Sequence, residues 1–168
     1  MTRKTAAWTL SLILAAGLHG AAAAAVSAEK AERTAPDRIL VTWTDKDPVD
    51  VYVADSPDAG LDKARLVSAN DRDGRYEAPA AAARPYFLLK DRGDGVVTRT
   101  AERLVPLEQG SNFRDLGGYP GADGKHVRWG RIYRSGGTPM LTEADVKEIT
   151  SLGLTDNAAA MGEALMDG

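Results

Sequence analysis

From Arg38 onward, apolar and polar positions alternate. In "RILVTWT", Ile39, Val41 and Trp43 fall on one side, with Leu40 and Thr42 on the other. "VDVYVA" repeats the pattern, setting Val49, Val51 and Val53 against Asp50 and Tyr52. A period of two in β-branched and aromatic residues predicts half-buried strands. Further short strands are predicted at 64–68, 74–77, 86–90, 96–101 and 103–107. Turn signals separate them: "DRDG" precedes Tyr76, and "RGDG" lies between "YFLLK" and "VVTRT". Glycine and aspartate tolerate the backbone conformations of tight hairpins. "APAAAARP" crosses between strands, either as one helical turn or as extended chain. The period changes in "LTEADVKEITSLGL", where Val146, Ile149 and Leu152 fall on roughly one helical face. Thr142 with Asp145 three residues later makes a box-like helix start, and Gly153 is a natural stop.

About seven short strands at close spacing predict a mostly-β architecture. Residues 38–107 are expected to form an immunoglobulin-like or fibronectin-III-like sandwich. Trp43 is expected at its centre. The chain has no cysteine, so the antibody-type disulfide is absent, as are thiolate metal sites and a cysteine nucleophile.

The beginning of the chain has the pattern of a secretory signal peptide. Arg3 and Lys4 precede a largely apolar run at 6–18, and small residues follow. Val26-Ser27-Ala28 fits signal-peptidase recognition, giving a leader over 1–28; cleavage after Ala23 or Ala25 fits nearly as well. The apolar run is short of the ~20 residues a membrane span needs. Export to the periplasm or the medium is therefore expected, with no membrane span once the leader is removed. The charged stretch 29–37 is expected to be a linker.

Composition narrows the functional classes. Hydrophobic residues make up 43% of the 168 and charged residues 27%, with a formal net charge of −3. That balance is globular, and without a basic stripe it gives no footprint for nucleic acid. Asp71, Asp73 and Asp94 sit in turns. Calcium needs six to eight converging oxygens, so these scattered residues are expected to be turn aspartates, with no metal implied. His126, the single histidine beyond the leader, has no nearby serine or carboxylate triad and is expected at the surface.

The distinctive stretch is "SNFRDLGGYPGADGKHVRWGRIYRSGG", Ser111 to Gly137. Gly117-Gly118 implies a backbone bending where a side chain would obstruct. "GADGKHVRWGRIYR" is expected to be a hairpin turning at Asp123-Gly124, with Val127, Trp129, Ile132 and Tyr133 on the returning strand. Arg114, Arg128, Arg131 and Arg134 either make a phosphate-binding mouth or are ordinary strand-surface charges.

Asn112-Phe113-Arg114-Asp115-Leu116-Gly117-Gly118, followed by "VRWGRIYRSG" and "LTEADVKEITSLGL", resembles the opening of the bacterial protein-tyrosine phosphatases of the cysteine-dependent class. The preceding leader and sandwich resemble, more loosely, exported members with an N-terminal immunoglobulin-like module. The resemblance implies an α/β catalytic domain whose N-terminal part occupies 108–154. It implies phosphate-monoester hydrolysis without a cofactor or metal, through a cysteinyl-phosphate. A loop of the form His-Cys-x-x-Gly-Lys-Asp-Arg-Thr-Gly would cradle the phosphate at a helix N-terminus. In a full-length relative the substrate would be a phosphotyrosine protein or a phosphoinositide. Asn112, Arg114 and Asp115 would lie beside the phosphate loop and brace it.

The chain departs from the family pattern after Leu154. "TDNAAAMGEALMDG", residues 155–168, lacks the buried strand and the phosphate loop expected there. The expectation is an inactive fragment of a phosphatase, with Asn112, Arg114 and Asp115 partly exposed and unpartnered. The alternative is an exported immunoglobulin-like binding module for a protein or glycan. A different enzyme built on Asp115, His126 or the arginines is a third reading, with little to support a mechanism.

Overall fold

The computed structural model describes residues 26–80, 84–136 and 141–154. The expected leader as far as residue 25, and residues 155–168, expected to be a divergent tail, lie outside the described residues. Seven strands form the larger part: β1 (Ser27–Ala35), β2 (Arg38–Thr44), β3 (Val49–Ala54), β4 (Arg65–Asp71), β5 (Arg75–Pro79), β6 (Tyr86–Asp91) and β7 (Val97–Ala101). They make a three-stranded sheet ordered β1-β2-β5 and a four-stranded sheet ordered β4-β3-β6-β7, antiparallel throughout. The expected mostly-β sandwich is therefore present.

The alternation in β2 and β3 decides what lies between the sheets. Ile39, Val41 and Trp43 from one sheet pack with Val49, Val51, Phe87 and Leu89 from the other. Trp43 is buried, as its central place in the pattern implied. Asp50 on the opposite face is also buried, which the alternation did not anticipate. It accepts hydrogen bonds from the Asn70 amide (2.8 Å) and from Arg92. Burial tends to raise its pKa, but these bonds and the Arg92 charge prevail and hold it below the ordinary aspartate value.

Strand β6 is apolar without alternation because both of its faces are covered. Phe87 and Leu89 point into the main core. Leu88 joins Ala54 and Ala59 under the β3–β4 connection, and Tyr86 joins Ala101 and Trp129. A strand buried on both sides needs a continuous apolar run rather than a half-polar one.

Two sequence expectations change here. The stretch 29–37 is not a linker along most of its length: β1 runs through it to Ala35, paired with β2 from Ser27↔Thr44 to Ala35↔Arg38. An edge strand is held through its backbone, so its charged side chains stay in solvent and give it a linker-like composition. Only Ala31, with Val26 just before the strand, reaches the core. Conversely, 103–107 is not a strand of the sandwich. It lies beside the next segment, with Val105 N donating to Phe113 O (3.0 Å) and Asp115 N to Arg103 O (2.9 Å). Backbone hydrogen bonds thus cross the boundary expected at residue 107.

Beyond it lie β8 (Arg114–Asp115) and β9 (Tyr133–Arg134), which pair antiparallel, and α1 (Glu143–Ser151). The helix begins as its sequence implied. Thr142 Oγ1 accepts from the Asp145 amide (3.2 Å), and the Asp145 carboxylate accepts from the Thr142 amide. Gly153, at φ 69°, ends it in the left-handed region. Asp145 also accepts from the amides of Glu108 and Gln109, so one buried carboxylate caps the helix and fastens the preceding loop. Burial opposes ionisation there, but the surrounding amides prevail and depress its pKa. Val146 on the helix remains exposed.

Candidate functional site

The signature segment folds around one tryptophan. Its expected hairpin forms: Gly118 N donates to Val127 O (2.8 Å), Val127 N to Tyr119 O (2.9 Å) and Gly121 N to Lys125 O (2.7 Å). A short 3-10 turn at Ala122–Gly124 closes it. The returning strand does not run on as expected. It breaks at Gly130, whose φ of 71° reverses the chain before β9 and turns Trp129 inward. The Trp129 indole nitrogen donates to Arg99 O on β7 (3.1 Å). Gly117 lies directly against this residue: a Cβ there would stand 2.5 Å from Trp129 Cα. The glycine pair therefore permits the close approach its sequence suggested.

The three residues carried over from the family motif do not converge. Asn112 is exposed at φ 54°. Arg114 is exposed, and Asp115, next in β8, points the opposite way with 0% exposure. The expectation that Asp115 would be partly exposed and unpartnered is overturned. Its Oδ1 accepts from Gly117 N (2.7 Å), and its Oδ2 accepts from Gly130 N (2.8 Å) and Arg84 Nη1 (2.8 Å). The local carboxylate-to-amide turn and the Gly130 reversal create the two amide contacts. A cation from elsewhere in the chain completes the set.

Arg84 went unnoticed in the sequence. It precedes β6, and its side chain is only 11% exposed. Its Nε donates to Glu102 O (2.9 Å), and its Nη1 reaches Asp115, Tyr86 Oη (3.0 Å) and Tyr133 Oη (3.2 Å). The guanidinium lies 5.1 Å from the Tyr86 ring centroid and 5.9 Å from those of Trp129 and Tyr133. Burial works against its charge, but Tyr86, Asp115 and Tyr133 raise its pKa, so it stays protonated. Burial also pushes the Tyr133 phenol up, which keeps that hydroxyl neutral. Arg84 is the one charge in the alanine-rich crossover "APAAAARP", and that isolation was the available signal.

The arginines divide into two groups rather than one mouth. Arg128 and Arg131 both pair with Asp58 of the β3–β4 connection. Arg114 and Arg134 stand directly opposite each other across β8 and β9, both exposed. Like charges in this position repel, and an anion between them would relieve the repulsion. Arg103 lies under the hairpin, with its guanidinium 4.1 Å from the Tyr119 ring centroid and 4.7 Å from that of Trp129. His126 is exposed at the hairpin, as expected.

The turn aspartates also behave as expected. Asp71 Oδ1 accepts from Asp73 N, Asp73 Oδ1 from Arg75 N, and Asp94 Oδ1 from Val96 N. A different acidic trio, Asp45, Asp47 and Asp91, brings carboxylate oxygens within 4.8 Å of one another at the end of the sandwich. Asp45 and Asp47 come from the β2–β3 connection and Asp91 from the end of β6, far apart in sequence, so spacing gave no sign of it. Asp45 Oδ1 accepts from Asp47 N and Asp91 Oδ1 from Gly93 N.

Comparison with known proteins finds a similarity in the C-terminal segment. Residues 105–158 match the model of the tyrosine phosphatase family. A curated protein of Cupriavidus necator that carries the name of a tyrosine-protein phosphatase is 52% identical over 44 residues. The match covers 26% of this chain and 16% of that relative, so only a small part of the relative's length is represented. No solved structure matches the chain. This segment is thus similar to the tyrosine phosphatase family, and the similarity falls on the part that folds around Asp115 and Trp129.

Proposed function

We propose that the segment from Val105 onward is the opening of a tyrosine-phosphatase-type catalytic unit that acts on phosphate monoesters. The observation that carries this reading is the 52% identity over 44 residues, in a segment that also matches the family model. The exposed Arg114 and Arg134, opposite each other in register, support it, because guanidinium groups on one face favour a phosphate dianion. In this reading Asn112 and Arg114 lie on the surface that meets the phosphate loop, and Asp115 braces the turn from behind. The substrate class is a phosphate monoester, either a phosphotyrosine protein or a phosphoinositide. The seven-stranded module, with its three-plus-four strand order, is an immunoglobulin-like or fibronectin-III-like domain, and the protein is exported.

The 168 residues contain no cysteine, so they supply no thiolate to attack phosphorus. The purified chain is expected to give no vanadate-sensitive turnover of an aryl phosphate. Activity above that of a mock preparation would overturn the cysteinyl-phosphate reading. A chimera tests the family reading from the other side. Continuing this chain after Leu154 with the remainder of the Cupriavidus necator relative should give vanadate-sensitive hydrolysis. A folded, inactive chimera, beside an active relative, would count against it.

A further inference from the structure

Arg84 belongs to the sandwich, but Asp115 and Tyr133, which it holds, belong to the phosphatase-like segment. A carboxylate with 0% exposure needs a counter-charge, and among the described residues its salt-bridge partner is Arg84. Without that cation, Asp115 would keep two amide contacts while sitting among Trp129, Tyr86 and Tyr133. We infer that Arg84 is a positioning residue, through which the sandwich sets the backbone of the signature turn at Asp115–Gly118 and of the reversal at Gly130.

Other sandwich groups converge on the same segment. Arg99 O receives the Trp129 indole N–H, and Asp58 binds Arg128 and Arg131. A Cβ on Gly130 would stand 2.8 Å from Pro57 Cγ and 3.3 Å from Tyr86 Oη, so this backbone lies directly against the sandwich. The Tyr86–Ala101 end of the outer face of β6 and β7 is consequently committed to an intramolecular interface. That end is not free to recognise a protein or glycan, and the sandwich acts there as a built-in folding partner of the signature segment. The inference does not depend on the phosphatase reading, and its test needs no enzymatic activity.

The test is hydrogen exchange on the 168-residue chain carrying Arg84→Met, Asp115→Asn, or both. Arg84→Met leaves a buried carboxylate without its cation. The Gly117 and Gly130 amides should then exchange about 100-fold faster, while Val41 and Val51 change little. Asparagine carries no charge and keeps one acceptor oxygen, which can serve the Gly117 or the Gly130 amide but not both. Adding Asp115→Asn to Arg84→Met should therefore restore protection at one of the two amides to within about tenfold of the parent, a clear departure from additivity. Additive effects, or equal acceleration of the Gly117, Gly130, Val41 and Val51 amides, would overturn the inference. If Arg84→Met does not fold, a folded double variant supports it and an unfolded double variant overturns it.

Discussion

Trp43 and Asp50 illustrate how single residues hold the sandwich. Trp43 fills the space between the two sheets and packs with residues from both. Trp43→Ala should destabilise the chain by about 3–5 kcal/mol, read from the shift of the denaturation midpoint. A loss below about 1 kcal/mol would mean that the indole carries little of the core. Asp50 adds a pH dependence. Its folded pKa lies below the unfolded value of roughly 3.9. Its stabilisation is therefore fully present above that value and fades as pH falls through the folded pKa. The acid limb of the stability curve should be shallower in Asp50→Asn than in the parent chain. Parallel limbs would show that the carboxylate is not differentially bound in the folded state.

At the scale of elements, the helix start and the signature hairpin make different demands. Thr142 and Asp145 satisfy each other's amides, which their three-residue spacing made legible. Thr142→Ala should cost about 1 kcal/mol and speed amide exchange at Asp145. No change at that amide would mean that the cap contributes little. Asp145→Ala should do more, since Glu108 and Gln109 also donate to that carboxylate. It should accelerate exchange at residues 108 and 109 as well as at the helix start, whereas Thr142→Ala should leave 108 and 109 nearly unchanged. β1 makes the converse point. Its charged sequence resembles a linker, yet backbone pairing with β2, Ala31 in the core and the Arg33–Glu102 ion pair hold it.

At the scale of the whole molecule, sandwich and signature segment share a side-chain-to-backbone hydrogen bond, ion pairs and an aromatic cluster. This bears on processing. The leader pattern allows cleavage after Ala28, but Val26 is 4% exposed in the core and Ser27 Oγ donates to Thr44 O. Cleavage after Ala25, also compatible with the pattern, would retain both. With export as proposed, the mature chain should begin at Val26, which N-terminal sequencing or intact mass would check. A mature chain beginning at Glu29 would show that β1 tolerates losing its first contacts. A full-length cytoplasmic product would overturn export.

The sequence by itself determined the alternating strands β2 and β3, the continuous apolar run of β6, the capped helix and the glycine pair. Each is a local consequence of side-chain period or backbone freedom. It also carried the phosphatase resemblance, because that lies in one contiguous motif. Tertiary structure decided what depends on distance along the chain. Asp115 looked like an exposed motif residue, but its counter-ion comes from Arg84, 31 positions earlier. Arg128 and Arg131 looked available for phosphate, but Asp58 holds both, 70 and 73 positions away. Asp45 and Asp47 meet Asp91 only because β2, β3 and β6 end at the same side of the sandwich. Periodicity reports which way a side chain points. It cannot report which distant charge will be there to meet it, because strand order and loop path bring those charges together.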